Sequence, residues 1–295
     1  MIVLQLTGGL GNQMFQYALG RVLSLKHNSE LLFDISSFDY QPYTDTKRAF
    51  ELAVYKVRGT IAKKSMLNRR ERPNRYKIIL NQYLHLGLNP YPKNYVKENG
   101  HEFHLEVLKS PDNTYLSGFW QSENYFRDIR NTIIDDFSKR ASPISSRNAE
   151  LKSDMTKSES VSLHVRRTDY VTNPNANAFH GICDIAYYQR AMKHVEKAVK
   201  KPVYYVFSDD PDWAKENIKS KHKMIYISHN HGRDAHEDIR LMSTCRHNII
   251  ANSSFSWWGA WLNQNPQKIV MSPKTWFKDR SVNTKDMIPT EWVRL

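Results

Sequence analysis

Two adjacent arginines, Arg166 and Arg167, follow a short apolar run near the middle of the chain. A guanidinium is permanently charged and presents a rigid fork of N–H donors that fits phosphate oxygens, so a fixed pair can hold a diphosphate without a metal ion. Asp169 follows two residues later and is the nearest carboxylate that could accept a proton from a reacting hydroxyl. It could equally pair with an arginine, which would lower its pKa, so both roles stay open.

The run before the arginines has the pattern of a half-buried β-strand. Over residues 161–165, apolar side chains alternate with Ser162 and His164. The predicted strand ends where the charged residues begin. Because ligands bind at the carboxyl ends of strands in open α/β sheets, this spacing predicts an anion site at a sheet edge.

A second polar cluster follows the apolar run at residues 203–207. Asp210 precedes Pro211 and a further acid, which is the pattern of a helix N-cap. Asp210 and Asp212 also have the spacing of a metal-binding pair, but we favour the cap. Asp209 is then free to accept hydrogen bonds from a base or a ribose.

A third cluster lies at residues 251–259 and brings hydroxyl and amide side chains to a predicted helix N-terminus, which favours an anion. In a simpler interpretation these residues only cap the helix and pack two tryptophans. The side chains concerned are Asn252, Ser253, Ser254 and Ser256.

A glycine-rich turn lies between a predicted strand at residues 2–6 and a predicted helix at residues 13–26. Gly9 and Gly11 let the backbone approach a ligand, and the helix N-terminus supplies N–H groups and positive potential. The turn is not a nucleotide-triphosphate loop, because no Gly-Lys-Ser/Thr follows. It is an imperfect dinucleotide fingerprint, with an acid at Asp34 but Met14 where a third glycine is expected. A phosphate or sugar contact, a nicotinamide cofactor and a purely structural turn all fit this pattern.

Strands and helices alternate through the second half of the chain, which predicts a parallel sheet with right-handed crossovers. The first half opens with a strand–helix–strand unit, continues irregularly, and closes with an amphipathic helix predicted over residues 123–139. A length of 295 residues suits two domains. We expect two α/β lobes with a cleft between them, at residues 1–145 and 146–295.

The formal net charge of +13 predicts an anionic partner. Segment 56–77 contains many basic residues and a single acidic one, Glu71. A solvated helical face is one interpretation, and peripheral contact with an anionic membrane surface is the other. Nucleic acid is not predicted, since no helix-turn-helix, zinc-finger or aromatic strand signature is present.

The composition, 40% hydrophobic and 25% charged, is that of a soluble globular protein, without an apolar run of membrane-spanning length. The start has no signal-peptide pattern. We therefore predict a cytoplasmic protein, or one attached peripherally to the inner face of the cell membrane. Cys183 and Cys245 lack metal-ligand spacing and are predicted to be reduced thiols.

Four segments of the chain together resemble a known family, and they are GGLGNQMFQYA (residues 8–18), HVRRTDY (164–170), VFSDD (206–210) and ANSSFSWWGAWL (251–262). The family is that of the bacterial α-1,2-fucosyltransferases, glycosyltransferase family 11, whose HxRRxD pattern the second segment matches. The resemblance implies a GT-B arrangement of two facing Rossmann-type lobes. It also implies inverting, metal-independent transfer of fucose from GDP-fucose to the 2-hydroxyl of a galactose in a bacterial surface glycan such as O-antigen, with no cofactor required.

The resemblance further implies roles for individual residues. Arg166 and Arg167 would hold the diphosphate as its charge grows, and Asn12 would face the cleft from the glycine-rich turn. Asp169 would be the general base, unless another acid or the leaving phosphate accepts the proton. The predicted donor-binding residues are Gly9, Gly11, Gln13, His164, Asp209, Asp210, Asn252, Ser253, Ser254 and Ser256.

Two other functions stay open at this level. The glycine-rich turn allows a nicotinamide-dependent oxidoreductase, and the positive charge allows a non-catalytic glycan-binding module. The acceptor is not identified, because no motif constrains the irregular part of the first lobe.

Overall fold

The computed structural model describes residues 1–39, 41, 47–63, 65–67, 74–84, 86, 92, 94–138 and 144–295, with the backbone alone at 169, 175, 176 and 233. These residues fall into two compact units, the first ending at Ser138 and the second containing Ile144 to Leu295. Each unit is built on its own parallel sheet, which confirms the predicted α/β class. The predicted division between residues 145 and 146 stays a prediction.

The first unit contains a five-stranded sheet in the order β3-β2-β1-β5-β4, with every pair parallel. Its helices and strands are β1 (Ile2–Gln5), α1 (Leu10–His27), β2 (Leu31–Asp34), β3 (Thr60–Ile61), α2 (Arg75–Leu84), β4 (Tyr95–Lys97), β5 (Tyr115–Ser117) and α3 (Arg130–Asp136). The apolar residues of β1 and β2 are buried, and α1 packs against both strands. Gly20 allows this close packing, because a Cβ there would lie 2.5 Å from Cδ1 of Leu4.

The helix predicted over residues 123–139 is wrong in its first half. Two 3₁₀ turns, at 123–125 and 127–129, precede the shorter helix α3. Tyr125 explains the difference, because its buried hydroxyl accepts a 3.0 Å hydrogen bond from the His104 N–H and donates one to the Glu102 carbonyl. These long-range contacts fix the backbone at Tyr125 and override the helical periodicity.

The second unit contains a six-stranded parallel sheet in the order β11-β10-β9-β6-β7-β8. Its helices and strands are α4 (Ser146–Lys157), β6 (Ser160–Val165), α5 (Thr168–Thr172), α6 (Pro174–His180), α7 (Ile185–Ala198), β7 (Val203–Ser208), α8 (Pro211–Asn217), β8 (Met224–Ile227), α9 (His236–Thr244), β9 (His247–Ile249), α10 (Ser254–Trp261), β10 (Val270–Ser272) and β11 (Val293–Arg294). The chain moves outward from β6 to β8 on one side and then returns to β9 on the other. The order therefore reverses between β6 and β9, and ligands of open α/β sheets bind at such a point.

Strand β6 is central, and all six of its residues are buried, so the prediction of a half-buried strand is wrong. Its apolar residues Val161, Leu163 and Val165 join a core that includes residues of α7. On the other face, the Ser162 hydroxyl accepts a 2.7 Å hydrogen bond from the Asn248 amide. The alternation thus separates an apolar face from a hydrogen-bonded one, and both are covered, as is usual in parallel sheets.

The stretch that follows the two arginines contains the short helices α5 and α6. Local side-chain hydrogen bonds explain them. The Asn177 amide donates to the Tyr170 carbonyl at 2.6 Å, and the Thr172 hydroxyl donates to the Thr168 carbonyl at 2.9 Å. The first bond links α6 to α5, and the second lies within α5.

Both cysteines are buried free thiols, as predicted. Within the residues described, no helix combines the length and the apolar character needed to cross a membrane.

Candidate functional site

The two arginines occupy the short turn between β6, which ends at Val165, and α5, which begins at Thr168. They lie at the carboxyl end of the central strand, beside the point where the strand order reverses. Nη1 of Arg166 lies 3.1 Å from Oδ2 of Asp209, and both side chains are about one-fifth exposed. The guanidinium carbon of Arg166 also lies 5.4 Å from the centre of the Tyr170 ring.

Asp209 holds this turn together. Its carboxylate accepts hydrogen bonds from the Arg167 N–H at 2.8 Å, from the Thr168 N–H at 3.1 Å and from the Thr168 hydroxyl. Contrary to the prediction, Asp209 is thus not free of protein partners, and its contact with a base or a ribose stays a prediction. Val165 pairs with Ser208, the last residue of β7, so Asp209 directly after that strand reaches the backbone donors of the turn.

Arg167 is held by the first turn of α8. Its guanidinium carbon lies 3.7 Å from the centre of the Trp213 ring, and its Nε lies 3.4 Å from Oδ2 of Asp210. Asp210 accepts a 3.2 Å hydrogen bond from the Trp213 N–H and is the N-cap of α8, as predicted, with Pro211 first in the helix. Sequence reasoning missed Trp213 as a partner of Arg167, because the two residues are far apart in the sequence.

His164 is the last inward-facing polar residue of β6 before the arginines. It is buried, and among the described residues its Nδ1 has no hydrogen-bond partner. Burial lowers the pKa of His164 to about 4, with Asp209 opposing the shift and Arg166 adding to it. Burial therefore keeps the imidazole neutral at physiological pH.

The cluster after β9 is tied into the protein. The buried Asn252 amide donates to the carbonyls of His180, Gly181 and Trp276, and its Oδ1 accepts from the Cys183 thiol at 3.5 Å. This side chain thus fixes the backbone around the strand end. The structure assigns it no free polar atom.

The serines of this cluster match the simpler interpretation made from the sequence. Ser253 is the N-cap of α10 and accepts a 3.3 Å hydrogen bond from the Phe255 N–H. Ser256 is fully buried and donates to the Ser253 carbonyl at 3.4 Å, whereas Ser254 is half-buried at the start of the helix. Contact of these serines with a donor stays a prediction.

In the first unit, the glycine-rich turn leads directly into α1, which begins three residues earlier than predicted. Gly8 has φ +74°, a conformation that favours glycine, and Gly9 is the N-cap of α1. Gly11 lies inside the helix and is buried. The backbone amides at this helix start therefore remain suited to an anion.

Gln13 and Asn12 stabilise the turn. Gln13 is fully buried, donates to the Gly8 carbonyl at 2.9 Å and the Ala49 carbonyl at 2.7 Å, and accepts from the Glu51 N–H at 2.9 Å. The Oδ1 atom of the partly exposed Asn12 accepts a 2.8 Å hydrogen bond from Gln121. The geometry gives Gln13 a structural role, and a ligand contact by Asn12 stays a prediction.

Arg48 is a cation beside this turn that sequence reasoning missed. A Cβ added at Gly9 would lie 3.5 Å from Nη1 of Arg48. Burial raises the pKa of the nearby Glu51, and Arg48 opposes that shift. No sequence signal marked Arg48, since it lies in the irregular stretch after β2.

Asp34 and Met14, the other two positions of the dinucleotide fingerprint, do not support a cofactor site. Asp34 is buried, with Oδ1 accepting from the Ser36 N–H at 2.9 Å and Oδ2 from the Tyr115 hydroxyl at 2.6 Å. Met14 is fully buried in the core. Both carboxylate oxygens of Asp34 thus have protein partners, so Asp34 stabilises the fold and is not positioned to bind a ribose.

A polar cluster beyond β8 was also missed. His229 donates to Oδ1 of Asn148 at 2.7 Å, and the Asn230 amide donates to Oδ1 of Asp238 at 2.7 Å. Burial raises the pKa of Asp238 to about 7, with the Asn230 hydrogen bond opposing the shift and Glu237 adding to it. Asn148 is about 80 residues away in the sequence, so no local pattern predicts this contact.

The side chain of Asp169 lies outside the described part of the structure, so its role as a base stays a prediction.

In the described part of the chain, no three His, Cys, Asp or Glu side chains converge as a metal site would require. Asp212 is 93% exposed and lies 3.4 Å from Lys215.

Comparison with known proteins decides the family. Residues 1–295 match the model described as Glycosyl transferase family 11. The chain belongs to this family. It is a glycosyltransferase, which sets aside the oxidoreductase and the non-catalytic module.

Two relatives from Escherichia coli are similar over the whole chain. An alpha-1,2-colitosyltransferase is 34% identical over 309 residues, covering 100% of this chain and 99% of its own length. The O-antigen biosynthesis glycosyltransferase WbnK is 34% identical over 310 residues, covering 98% and 99%. Among solved structures, the NodZ alpha-1,6-fucosyltransferase soaked with GDP-fucose has a TM-score of 0.49 at 14% identity, covering 92% of this chain and 94% of its own.

Proposed function

We propose that this glycosyltransferase transfers fucose from GDP-β-L-fucose to the 2-hydroxyl of a terminal galactose in an O-antigen-type glycan, with inversion and without a required metal ion. One observation carries the proposal. Two guanidiniums, Arg166 and Arg167, are fixed by protein contacts at the carboxyl end of β6, beside the reversal of strand order. This is where a nucleotide diphosphate is expected in a doubly wound sheet.

The fixed geometry of the arginines suits the electrostatics of the reaction. As the bond between fucose and diphosphate breaks, negative charge grows on the leaving phosphate. Donors that are already in place stabilise this charge without reorganising, and removing one such donor typically costs about 3–4 kcal/mol of transition-state stabilisation. Asp209 on Arg166, and Trp213 with Asp210 on Arg167, provide that prior placement.

In the proposed step, the acceptor 2-hydroxyl oxygen attacks the anomeric carbon of fucose opposite the diphosphate. The new carbon–oxygen bond forms as the bond to the β-phosphate oxygen breaks, and the electron pair leaves with GDP. Attack on a β-linked donor gives the α-linkage. The acceptor proton passes to a base, for which Asp169 is our candidate.

Neutral His164 fits a supporting role. Its Nδ1 is buried without a protein partner among the described residues, directly before the arginines. A buried polar nitrogen without a partner is costly, and a donor hydroxyl or phosphate oxygen would satisfy it.

The nature of the sugar is the main alternative within this proposal. One relative is named for colitose, which is fucose without its 3-hydroxyl. GDP-colitose is therefore the competing donor. A pocket that hydrogen-bonds the 3-hydroxyl would discriminate strongly against the sugar that lacks it, whereas an apolar pocket would discriminate weakly.

Product analysis tests the proposal. The protein is incubated with GDP-fucose or GDP-colitose and a panel of galactosides, with and without a chelator, and products are identified by mass spectrometry. We expect an α-1,2-fucosylated galactoside, released GDP, and activity that survives chelation. If products form from GDP-colitose alone, the donor is GDP-colitose and not GDP-fucose. If chelation abolishes activity and a metal ion restores it, the reaction is not metal-independent.

Arg167→Ala tests the diphosphate role. We expect transfer to fall by at least about 100-fold with the thermal transition unchanged. Arg246→Ala is the matched control. Arg246 is half-exposed, and its Nη1 lies 3.0 Å from Oε1 of Glu159. This pair lies at the end of the sheet opposite to the carboxyl ends of the strands. Near-normal turnover in Arg167→Ala would refute the role.

A further inference from the structure

Exposed apolar side chains concentrate in one part of the first unit. Of the twelve large hydrophobic side chains that are exposed among the described residues, eight lie between residues 61 and 86. Five of these belong to the single helix α2, at Tyr76, Ile79, Leu80, Tyr83 and Leu84. Scattered exposed apolar residues are ordinary, but a concentrated set marks an interaction surface.

Helix α2 turns its apolar face outward. At about 100° per residue, those five side chains form a continuous stripe of roughly 140°. They are exposed by 80% at Tyr76, 79% at Tyr83, 58% at Leu84, 49% at Ile79 and 40% at Leu80. The half-buried residues, Ile78 and Asn81, lie on the opposite face. A helix of a globular protein normally has the reverse arrangement.

Positive charge borders the stripe. Arg75 and Lys77 lie about 100° to either side of Tyr76 on the helix, and both are exposed. In the sequence, residues 56–84 contain nine Lys or Arg and one acid, Glu71, so this segment carries +8 of the formal net charge of +13. Apolar surface and positive charge therefore coincide in the same segment.

We propose that the apolar stripe of α2 inserts into the interface of an anionic lipid membrane, with Arg75 and Lys77 at the level of the headgroups. An outward apolar face flanked by cations is the pattern of interfacial helices. Exposed tyrosines at both ends of the stripe suit the boundary between headgroups and acyl chains. A second copy of the chain would bring the same excess of positive charge against this face, whereas anionic lipid neutralises it.

Vesicle sedimentation with the full chain tests this surface independently of the transfer reaction. The probes are vesicles of phosphatidylcholine alone and vesicles containing about one-third phosphatidylglycerol. We expect binding to the anionic vesicles, weakening as salt is raised, and little binding to the neutral ones.

Two double variants separate the apolar and the charged contributions. Ile79→Ser with Leu80→Ser should weaken binding to anionic vesicles by at least about 10-fold, because both side chains lose their apolar contact with lipid. Arg75→Glu with Lys77→Glu should weaken it by a similar factor. The matched controls, Leu105→Ser at a leucine that is 56% exposed, and Lys193→Glu with Lys197→Glu on an exposed part of α7, should bind like the parent protein.

Two results would overturn the proposal. The first is equal vesicle binding by the α2 variants and their controls. The second is a parent protein that is a dimer in light scattering and a variant, Ile79→Ser with Leu80→Ser, that is a monomer, while neither protein binds vesicles. Because all four α2 positions are exposed, transfer to a small soluble acceptor should be unchanged in these variants, so failure of this surface and failure of the proposed reaction give different results.

Discussion

Arg167 is restrained on two sides by its own protein. The Trp213 ring lies 3.7 Å beneath the guanidinium carbon, and the Asp210 carboxylate lies 3.4 Å from Nε. A long cationic side chain usually loses rotamer freedom when it binds a ligand. Here much of that loss occurs on folding, so a bound diphosphate would meet a guanidinium already in position.

Removing the ring beneath Arg167 tests this restraint. Trp213→Leu should lower kcat/KM for the donor by about 2- to 30-fold, the range that corresponds to losing a cation–π contact. Trp213→Phe keeps an aromatic face and should lose less. Steady-state kinetics with a varied donor give the ratio, and thermal unfolding checks the fold. An equal loss in both variants would indicate that α8 packing, not the contact with Arg167, is responsible.

Asp209 acts through the arginine turn in our proposal, and a double-mutant cycle can separate this role from direct donor contact. Asp209→Asn can keep one oxygen, for the Arg167 N–H, but removes the charge and the second oxygen that face Arg166 and Thr168. We expect each of Asp209→Asn and Arg166→Ala to lower transfer, and the double variant to be little worse than Arg166→Ala alone. Multiplicative losses in the double variant would instead support independent contacts with the donor.

Among the elements, those with strong local signals were predictable. The alternation of strands and helices after residue 160 appears in the structure with bounds shifted by a few residues, because most of these elements have an apolar period of their own. Asp210 with Pro211 is an example of a cap that could be recognised from the sequence. The 3₁₀ turns around Tyr125 could not, since the contacts that impose them come from residues about 20 positions away.

The residues of the candidate site can also be divided into those that were predictable from the sequence and those that were not. Arg166, Arg167 and His164 were predicted to share a strand end, and they do. The contacts of Asp209, Asn252 and Gln13 were not predictable, because a sequence identifies a polar residue but not whether its partners are protein or ligand. Arg48 and Asp238 were missed because only the fold brings them to a glycine-rich turn and to a strand end.

Packing of α1 on β1 gives a prediction at the scale of an element. Gly20→Ala should lower the free energy of unfolding by about 1–3 kcal/mol, because the new methyl would overlap buried Leu4 and the overlap outweighs the better helix propensity of alanine. In a Leu4→Ala background the overlap is removed, so Gly20→Ala should then raise stability. Urea unfolding measures both, and the same sign in both backgrounds would contradict this account.

At the scale of the whole molecule, two buried groups give opposite dependences of stability on pH. Folding lowers the pKa of His164 from 6.5 to about 4, so the unfolded chain binds more protons in that window and stability rises with pH. Folding raises the pKa of Asp238 from 3.8 to about 7, so the folded protein binds more protons there and stability falls as pH rises. Between these limits the two slopes oppose each other.

Asp238→Asn should expose the His164 dependence. The variant cannot ionise at this position, so its stability relative to the parent should increase as pH is raised from about 5 to about 8. It should also lose stability more steeply on acidification. Thermal unfolding across this range is the measurement, with Asp212→Asn as a control because Asp212 is 93% exposed. Parallel curves for Asp238→Asn and the parent would contradict the raised pKa.

The strand order of the second unit also bears on how the chain reaches its native state. Ser162 of β6 and Asn248 of β9 are hydrogen-bonded neighbours although 86 residues separate them. One edge of β6 therefore stays unpaired until β9 has been synthesised, and such edges recruit other chains. Closing so long a loop is also slow. Chains truncated before β9 should consequently aggregate. The pairing of β6 with β9, beside which we propose that the donor binds, makes this unit late to fold and difficult to shorten.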